Sequence, residues 1–292
     1  MNGKKKLLIT GANGQLGMEF RDLEKQYSQF HFLFVTKNEL PINDFIAIEK
    51  FFKKNQIDAC INCAAYTAVD KAETEKALAF QINGEAVGNL AKVCKINNIQ
   101  FIHFSTDYVF DGNATIAYKE TNNTNPVNLY GESKLRGEQL AIQNNEQSII
   151  IRTSWVYSSH GKNFVKTMLR LMNEKESIGV VNDQYGSPTY AADLAEATLK
   201  IISEIKWQPG IYHYCNKGII NWYRFAEEIK KLTGSHCIVN PISTDGYPTP
   251  AARPQYSALD TNKIMETYNL LIPKWEISLE KCISLIQKLK LP

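Results

Sequence analysis

The chain has 292 residues, 44% of them hydrophobic, and its 33 basic and 30 acidic residues leave a net charge of +3. That length and apolar content are enough to bury a large core, in one big domain or a main domain with a lobe. The mild, dispersed charge argues against a nucleic-acid partner, and no run approaches the ~18–20 apolar residues that a membrane-spanning helix needs.

Lys4-Lys5-Lys6, the densest basic run, reads as the solvated start of a short buried strand at Lys6–Thr10. No apolar signal-peptide core precedes it, so a reduced, cytoplasmic protein is expected. A turn at Gly11–Gly17 follows, then a helical apolar pattern over Gln15–Tyr27 and a second strand at His31–Thr36. The alternation continues with a helix at Ile46–Asn55, a strand at Ala59–Cys63, a helix from about Glu75 to Asn97 and a strand at Gln100–Ser105. Cys60 and Cys63 have redox or metal-motif spacing. Within a strand, however, side chains three apart face opposite sides, so these and the other scattered cysteines are expected to be structural thiols. An Asn-, Thr- and Pro-rich loop at Thr121–Asn128 precedes a helix carrying Tyr130, and Ser148–Arg152 reads as another buried strand. Strands alternating with helices predict a Rossmann-type α/β fold, a doubly wound parallel sheet covered on both faces.

After about residue 155 the pattern loosens. Short strands at Ile178–Val181, Ile211–Tyr214 and Cys237–Pro241 mix with helices at Phe164–Asn173, Ala192–Glu204, Trp222–Leu232 and Leu279–Leu289. Tyr247–Pro254 is proline-rich and irregular. The expected organisation is a dinucleotide-binding domain over residues 1–157, completed by later segments near 178–205. A smaller α/β substrate-binding lobe then occupies mainly residues 158–292.

Thr10-Gly11-Ala12-Asn13-Gly14-Gln15-Leu16-Gly17 sits between the first strand and the first helix. Gly11 suits a tight exit from the strand, Gly14 a backbone close to a pyrophosphate, and Gly17 close helix–sheet packing. The pyrophosphate would rest on the helix N-terminus, with Asn13, Gln15 and Leu16 in the same turn. The second strand ends Val35-Thr36-Lys37 without an adjacent acid for a ribose 2′-hydroxyl. Lys37 either neutralises a 2′-phosphate, favouring NADPH over NADH, or is simply exposed. Asp44 either meets the adenine edge or caps the next helix, and Phe45 beside it is a further cofactor candidate. Tyr130 and Lys134, four residues apart, share one helical face. A cation beside a phenol lowers its pKa, which makes the pair a candidate general acid–base. Ser105-Thr106-Asp107 ends a strand on the side where ligands of open α/β sheets bind. His103, in an apolar run, is expected to be a packed core residue.

These residues, in this order, resemble the extended short-chain dehydrogenase/reductase family. Asn62–Glu73, Ser105–Phe110, Arg152–Tyr157, Asn182–Thr189 and Pro250–Pro254 are similar, within it, to the dTDP-4-dehydrorhamnose reductases. The resemblance covers essentially the whole chain. It implies reduction of the C4 ketone of dTDP-4-dehydro-β-L-rhamnose to dTDP-β-L-rhamnose with NADPH, NADH being possible, and a product used in cell-wall polysaccharide. Tyr130 would protonate the C4 oxyanion, Thr106 would hydrogen-bond it, and Lys134 would lower the tyrosine pKa and bind the nicotinamide ribose. Ala64, Ala65 and Tyr66 would line the adenosine side. Asp107, Trp155 and Arg253 would contact the substrate, Arg253 at its pyrophosphate. Some members bind Mg²⁺ at a dimer contact through glutamates. Glu19 matches one such position, but Ala192 stands where a second is expected, so the metal is doubtful and a monomer or a homodimer is expected. Two alternatives stay open. One is another nucleotide-sugar enzyme of the same fold, although dehydratases typically carry Glu where Tyr108 stands. The other is a non-catalytic subunit resembling the methionine adenosyltransferase β-subunit.

Overall fold

Alternate residues of Leu7, Leu8 and Ile9 are all completely buried, so the first strand needs cover on both faces. The computed structural model, which describes residues 4–204 and 206–290, supplies it. The outermost residues of the two expected domains, 1–3 and 291–292, lie outside the described residues, as does residue 205. In chain order the strands are β1 (Lys5–Thr10), β2 (Phe30–Val35), β3 (Ala59–Asn62), β4 (Gln100–Thr106), β5 (Ile149–Thr153), β6 (Val156–Tyr157), β7 (Ser177–Val181), β8 (Tyr185–Gly186), β9 (Thr189–Tyr190), β10 (Gly210–His213), β11 (Ile220–Asn221) and β12 (Ile238–Ile242). The helices are α1 (Gln15–Leu23), α2 (Phe45–Asn55), α3 (Val69–Ala72), α4 (Lys76–Phe80), α5 (Ala86–Ile96), α6 (Leu129–Asn144), α7 (Phe164–Glu174), α8 (Ala191–Ser203), α9 (Trp222–Thr233), α10 (Asn262–Tyr268) and α11 (Trp275–Lys290).

Six strands form one parallel sheet in the order β10-β5-β4-β3-β1-β2. One face packs Leu7, Ile9 and Ile61 against Phe20 of α1, Leu194 and Leu199 of α8 and Ile264 of α10. The other packs Leu8, Cys60 and Phe101 against Ile48 and Phe52 of α2, Leu90 of α5 and Ala141 of α6. The chain leaves β1 outward to β2 and then returns to β3 on the other side. The switch in strand order, where such sheets hold ligands, therefore falls between β1 and β3.

The sixth strand is β10. The strand expected near Ile211–Tyr214 joins the large sheet beside β5, whereas the expected completion by segments near 178–205 is met differently. Of that stretch, α8 covers a face of the sheet, but β7 pairs with β12 in a separate two-stranded sheet. A distinct apolar cluster joins Val165 and Met168 of α7, Ile178 of β7, Phe225 and Ile229 of α9, Val239 of β12, and Leu279 and Ile283 of α11. Within the long helix expected from Glu75 to Asn97, a π-turn at Gln81–Glu85 separates α4 from α5. All six cysteines are free, five of them buried. Among the described residues no helix is long and apolar enough to cross a membrane.

Candidate active site along the carboxyl edge of the sheet

Because the strands are parallel, their carboxyl ends form a single edge, running from Thr153 through Thr106, Asn62 and Thr10 to Val35. The glycine turn lies on this edge. A Cβ on Gly17 would sit 2.5 Å from the Gly11 carbonyl oxygen, so only glycine lets α1 start this close to the turn. Among the described residues no side chain caps helix α1 at Gly14, which leaves its first N–H groups open to an anion. This narrow turn with uncapped amides fits a dinucleotide pyrophosphate. Asn13 is exposed, Gln15 and Leu16 are partly buried, and Gln15 accepts a hydrogen bond from Asn163 Nδ2 at 2.8 Å. Ala64 closes the other side of the turn, and its N–H faces Thr10 Oγ1 and Asn62 Oδ1, each at 3.3 Å.

Farther along, Lys37 is exposed just beyond β2. Asp44 caps α2, accepting from the Ala47 N–H at 3.0 Å. Phe45 packs partly on the core and lies 5.6 Å from Lys92 Nζ. An acid does reach the end of β2: Glu39 folds back to accept from the Thr36 N–H and hydroxyl at 2.8 and 2.9 Å. The sequence pattern hid it, because it lies three residues past the expected position. Tyr66 is held by Asn83, whose amide bonds both its N–H and its carbonyl and also donates to Ser133 Oγ at 3.0 Å. Asn83 sits in the π-turn, a local irregularity often found at functional sites, and nothing in its sequence neighbourhood marks it.

The proton-transfer candidates meet where β4 runs out beside the first turn of α6. Asn128 caps this helix by accepting from the Gly131 N–H at 2.8 Å, and Glu73 accepts from the Leu129 N–H at 3.0 Å. Gly131 permits the approach, since a Cβ there would lie 2.2 Å from the Tyr108 carbonyl oxygen. Thr106 is buried; its hydroxyl donates to Asp107 Oδ1 at 3.0 Å and accepts from the Tyr108 N–H at 3.2 Å. Asp107 Oδ2 is buried, with no hydrogen-bond partner among the described residues. Burial raises the Asp107 carboxyl to about 6, although the nearby Ser257 and Thr106 hydroxyls oppose the shift.

Tyr130 and Lys134 share a helical face, as expected, but the phenol is not lowered. Burial raises it, the nearby Asp107 charge adds to the rise, and the Thr106 hydroxyl offsets part of it. Lys134 directs its protons elsewhere, to the Phe104 carbonyl at 2.6 Å and toward His103 Nε2 at 3.3 Å. It is only 2% exposed, and burial lowers it to about 8 against the opposing pull of Glu138. His103 is fully buried, as the sequence predicts, yet it touches the candidate catalytic lysine rather than apolar packing alone.

Of the substrate candidates, Trp155 leaves β5 with a φ of +47° and stacks on Trp222 at 3.6 Å. A positive φ on a bulky residue is uncommon, and such backbone strain clusters at functional sites. Arg253 pairs with Asp70 at 2.9 Å and donates to the Ala251 carbonyl at 2.7 Å. Tyr108 packs edge-on to Tyr130 at 6.0 Å, and burial raises its phenol, with the Asp107 charge adding to the rise and the Arg253 charge opposing it. Tyr108 and Asp70 lie inside motif strings, so their neighbourhood was legible but their roles were not. Trp222 carries no sequence signal. Glu19 is buried and accepts from Ser158 Oγ at 2.5 Å, while neighbouring Asp22 is bonded to His160 at 2.7 Å. Glu19, Asp22 and His160 bring ligand atoms within 4.8 Å of one another, each already hydrogen-bonded.

A family model described as RmlD substrate binding domain matches residues 5–288. The dTDP-4-dehydrorhamnose reductase of Aggregatibacter actinomycetemcomitans is 40% identical over 288 residues, covering 94% of this chain and 97% of its own. The spore coat polysaccharide biosynthesis protein SpsK of Bacillus subtilis is 42% identical, covering 89% and 91%. The crystal structure of dTDP-4-dehydrorhamnose reductase from Bacillus anthracis in complex with NADP is 38% identical. It superposes with a TM-score of 0.93 over 97% of this chain and 99% of that one.

Proposed function

Because the chain belongs to the RmlD substrate binding domain family, we propose that it reduces the C4 ketone of dTDP-4-dehydro-β-L-rhamnose to dTDP-β-L-rhamnose, with NADPH as reductant and NADH as the alternative. The observation that carries this reading is the convergence of Thr106, Tyr130 and Lys134 beside an uncapped glycine turn on one sheet edge. NADPH, when bound, supplies the hydride that goes to C4. The π pair of the ketone then moves to oxygen, and the Tyr130 O–H bond breaks to hand over its proton. The raised phenol suits this direction, because a donor must be protonated at neutral pH. The Lys134 ammonium would stabilise the phenolate that forms and contact the ribose, and solvent would return the proton. The Thr106 hydroxyl would turn from Asp107 to the C4 oxygen.

Gly11, Asn13, Gly14, Gln15, Leu16 and Gly17 would hold the pyrophosphate, with Ala64, Ala65 and Tyr66 along the adenosine. Lys37 would meet a 2′-phosphate, and Asp44 and Phe45 would lie near the adenine. Asp107 would accept a sugar hydroxyl at its unpartnered Oδ2, Trp155 would wall the sugar, and Arg253 would bind the dTDP pyrophosphate in exchange for Asp70. We assign residues 1–157, joined by α8 and β10, to dinucleotide binding and most of 158–292 to the sugar nucleotide. Six free cysteines support a cytoplasmic location. The name of the B. subtilis relative supports a surface polysaccharide as the destination of the product. A monomer or a homodimer would suffice, with no step assigned to Mg²⁺. The test is an assay of the purified protein against several dTDP-4-keto-6-deoxysugars with each nicotinamide cofactor. The reading requires loss of NADPH absorbance with the rhamnose precursor, and a silent assay in which NADPH still binds would favour a non-catalytic subunit.

A further inference from the structure

Behind Lys134 runs a buried hydrogen-bond chain that the proposed reaction does not use. His103 Nε2 lies 3.3 Å from Lys134 Nζ, and its Nδ1 lies 3.0 Å from Asn62 Nδ2. Asn62 Oδ1 accepts from Thr10 Oγ1 at 2.6 Å. All four side chains are at most 2% exposed, so no solvent is at hand to satisfy a mismatched donor.

The polarity of this chain depends on the charge of the lysine. With the Asn62 amide nitrogen toward the ring, Nδ1 accepts and the imidazole proton sits on Nε2. That N–H faces Lys134 and suits a neutral amine offering a lone pair. Turning the amide over exchanges two nearly isosteric atoms, puts the ring proton on Nδ1 and leaves Nε2 to accept from an ammonium. In the turned arrangement the Thr10 hydroxyl accepts from the amide and gives up its own bond to Asn62 Oδ1, while the Ala64 N–H, 3.3 Å from both Thr10 Oγ1 and Asn62 Oδ1, keeps Thr10 Oγ1 as its acceptor.

We propose that His103 is a positioning residue for Lys134: it holds the lysine head group against the Phe104 carbonyl and reverses its hydrogen-bond polarity, through Asn62 and Thr10, when the lysine changes charge. The proposal rests on the reductase reading for its consequence in turnover, but not for its geometry. Among the described residues, the other charged or titratable groups around Lys134 are Tyr130, one helical turn before it, and Glu138, one turn after it, on α6, and Glu138 is itself paired with Arg152 of β5 at 2.7 Å. His103 stays neutral, because burial and the lysine charge both hold its imidazole well below the usual range.

The test compares pH profiles of kcat and of the KM for NADPH. His103→Leu removes the acceptor. It should lower kcat about tenfold at neutral pH and move the basic limb about one unit toward acid, the effect of losing one hydrogen bond to a charged group. His103→Gln, which keeps a donor and an acceptor, should restore the limb and most of kcat. Asn62→Asp, an acceptor facing Nδ1, should fix Nε2 as an acceptor and move the limb toward higher pH. This second variant keeps the test decisive if His103→Leu does not fold. Limbs that coincide with wild type in folded His103→Leu or Asn62→Asp protein would overturn the proposal, as would His103→Gln turning over no faster than His103→Leu. Titration of the Lys134 amine by NMR in the full chain reads the same shifts without turnover. A wild type inactive on every dTDP-4-keto sugar would therefore refute the reductase reading while the titration still decided the role of His103.

Discussion

Tyr130 and Lys134 were legible as a pair because helical spacing is local, yet their electrostatics were not. A phenol's pKa depends on what surrounds it in space, and here burial and the Asp107 charge raise it while the lysine is turned to the Phe104 carbonyl. Replacing Tyr130 with Phe removes the proposed proton donor while leaving the ring in place. Turnover should fall roughly 10²–10⁴-fold with NADPH binding nearly unchanged, as read by steady-state kinetics and a binding titration. Lys134 gives a pH prediction. Its folded value of about 8 lies below the ordinary 10.5, so the ammonium is present below about 8 and lost above it. The kcat/KM profile should therefore decline as pH rises through about 8. The stability contribution of the same group runs the other way. Between 8 and 10.5 the unfolded chain holds a proton that the folded chain has released, so unfolding free energy should rise with pH across that window. Chemical denaturation at several pH values checks the second sign.

At the scale of elements, the strand–helix alternation of the first half was readable because buried parallel strands are continuous apolar runs. Where one element meets another was harder to read. Helix α6 starts where it does because Asn128 caps it and also donates to the Ala252 carbonyl at 2.8 Å, tying the helix to a segment 124 residues away. The sequence placed Asn128 in a loop and gave no hint of this second bond. Asn128→Ala should cost about 1 kcal/mol of stability from the lost cap. Thermal unfolding would measure that loss, and kcat should also fall because the turn carrying Tyr130 loosens. The π-turn at Gln81–Glu85 was missed for a related reason: one extra backbone residue leaves the apolar periodicity almost intact while turning Asn83 inward to Tyr66 and Ser133.

Across the whole molecule, the site depends on residues far apart in the chain. Asp70 follows the third strand and Arg253 lies in the proline-rich stretch, yet they pair at 2.9 Å beside Tyr108. If Arg253 exchanges Asp70 for substrate phosphates, Arg253→Ala should raise the KM for the dTDP sugar at least tenfold and leave the KM for NADPH within about twofold. A matching rise in both would place Arg253 in general folding instead. By itself the sequence determined the doubly wound class and marked the glycine turn and the candidate reacting side chains. Those features rest on short-range periodicity, glycine sterics and residue spacing. Only the tertiary structure decided that β10 completes the sheet, that Trp222 backs Trp155, that Glu39 folds onto the end of β2 and that His103 meets Lys134. Each of these pairings brings together groups set by the packing of distant segments, and no local pattern encodes which buried polar atom will find which partner.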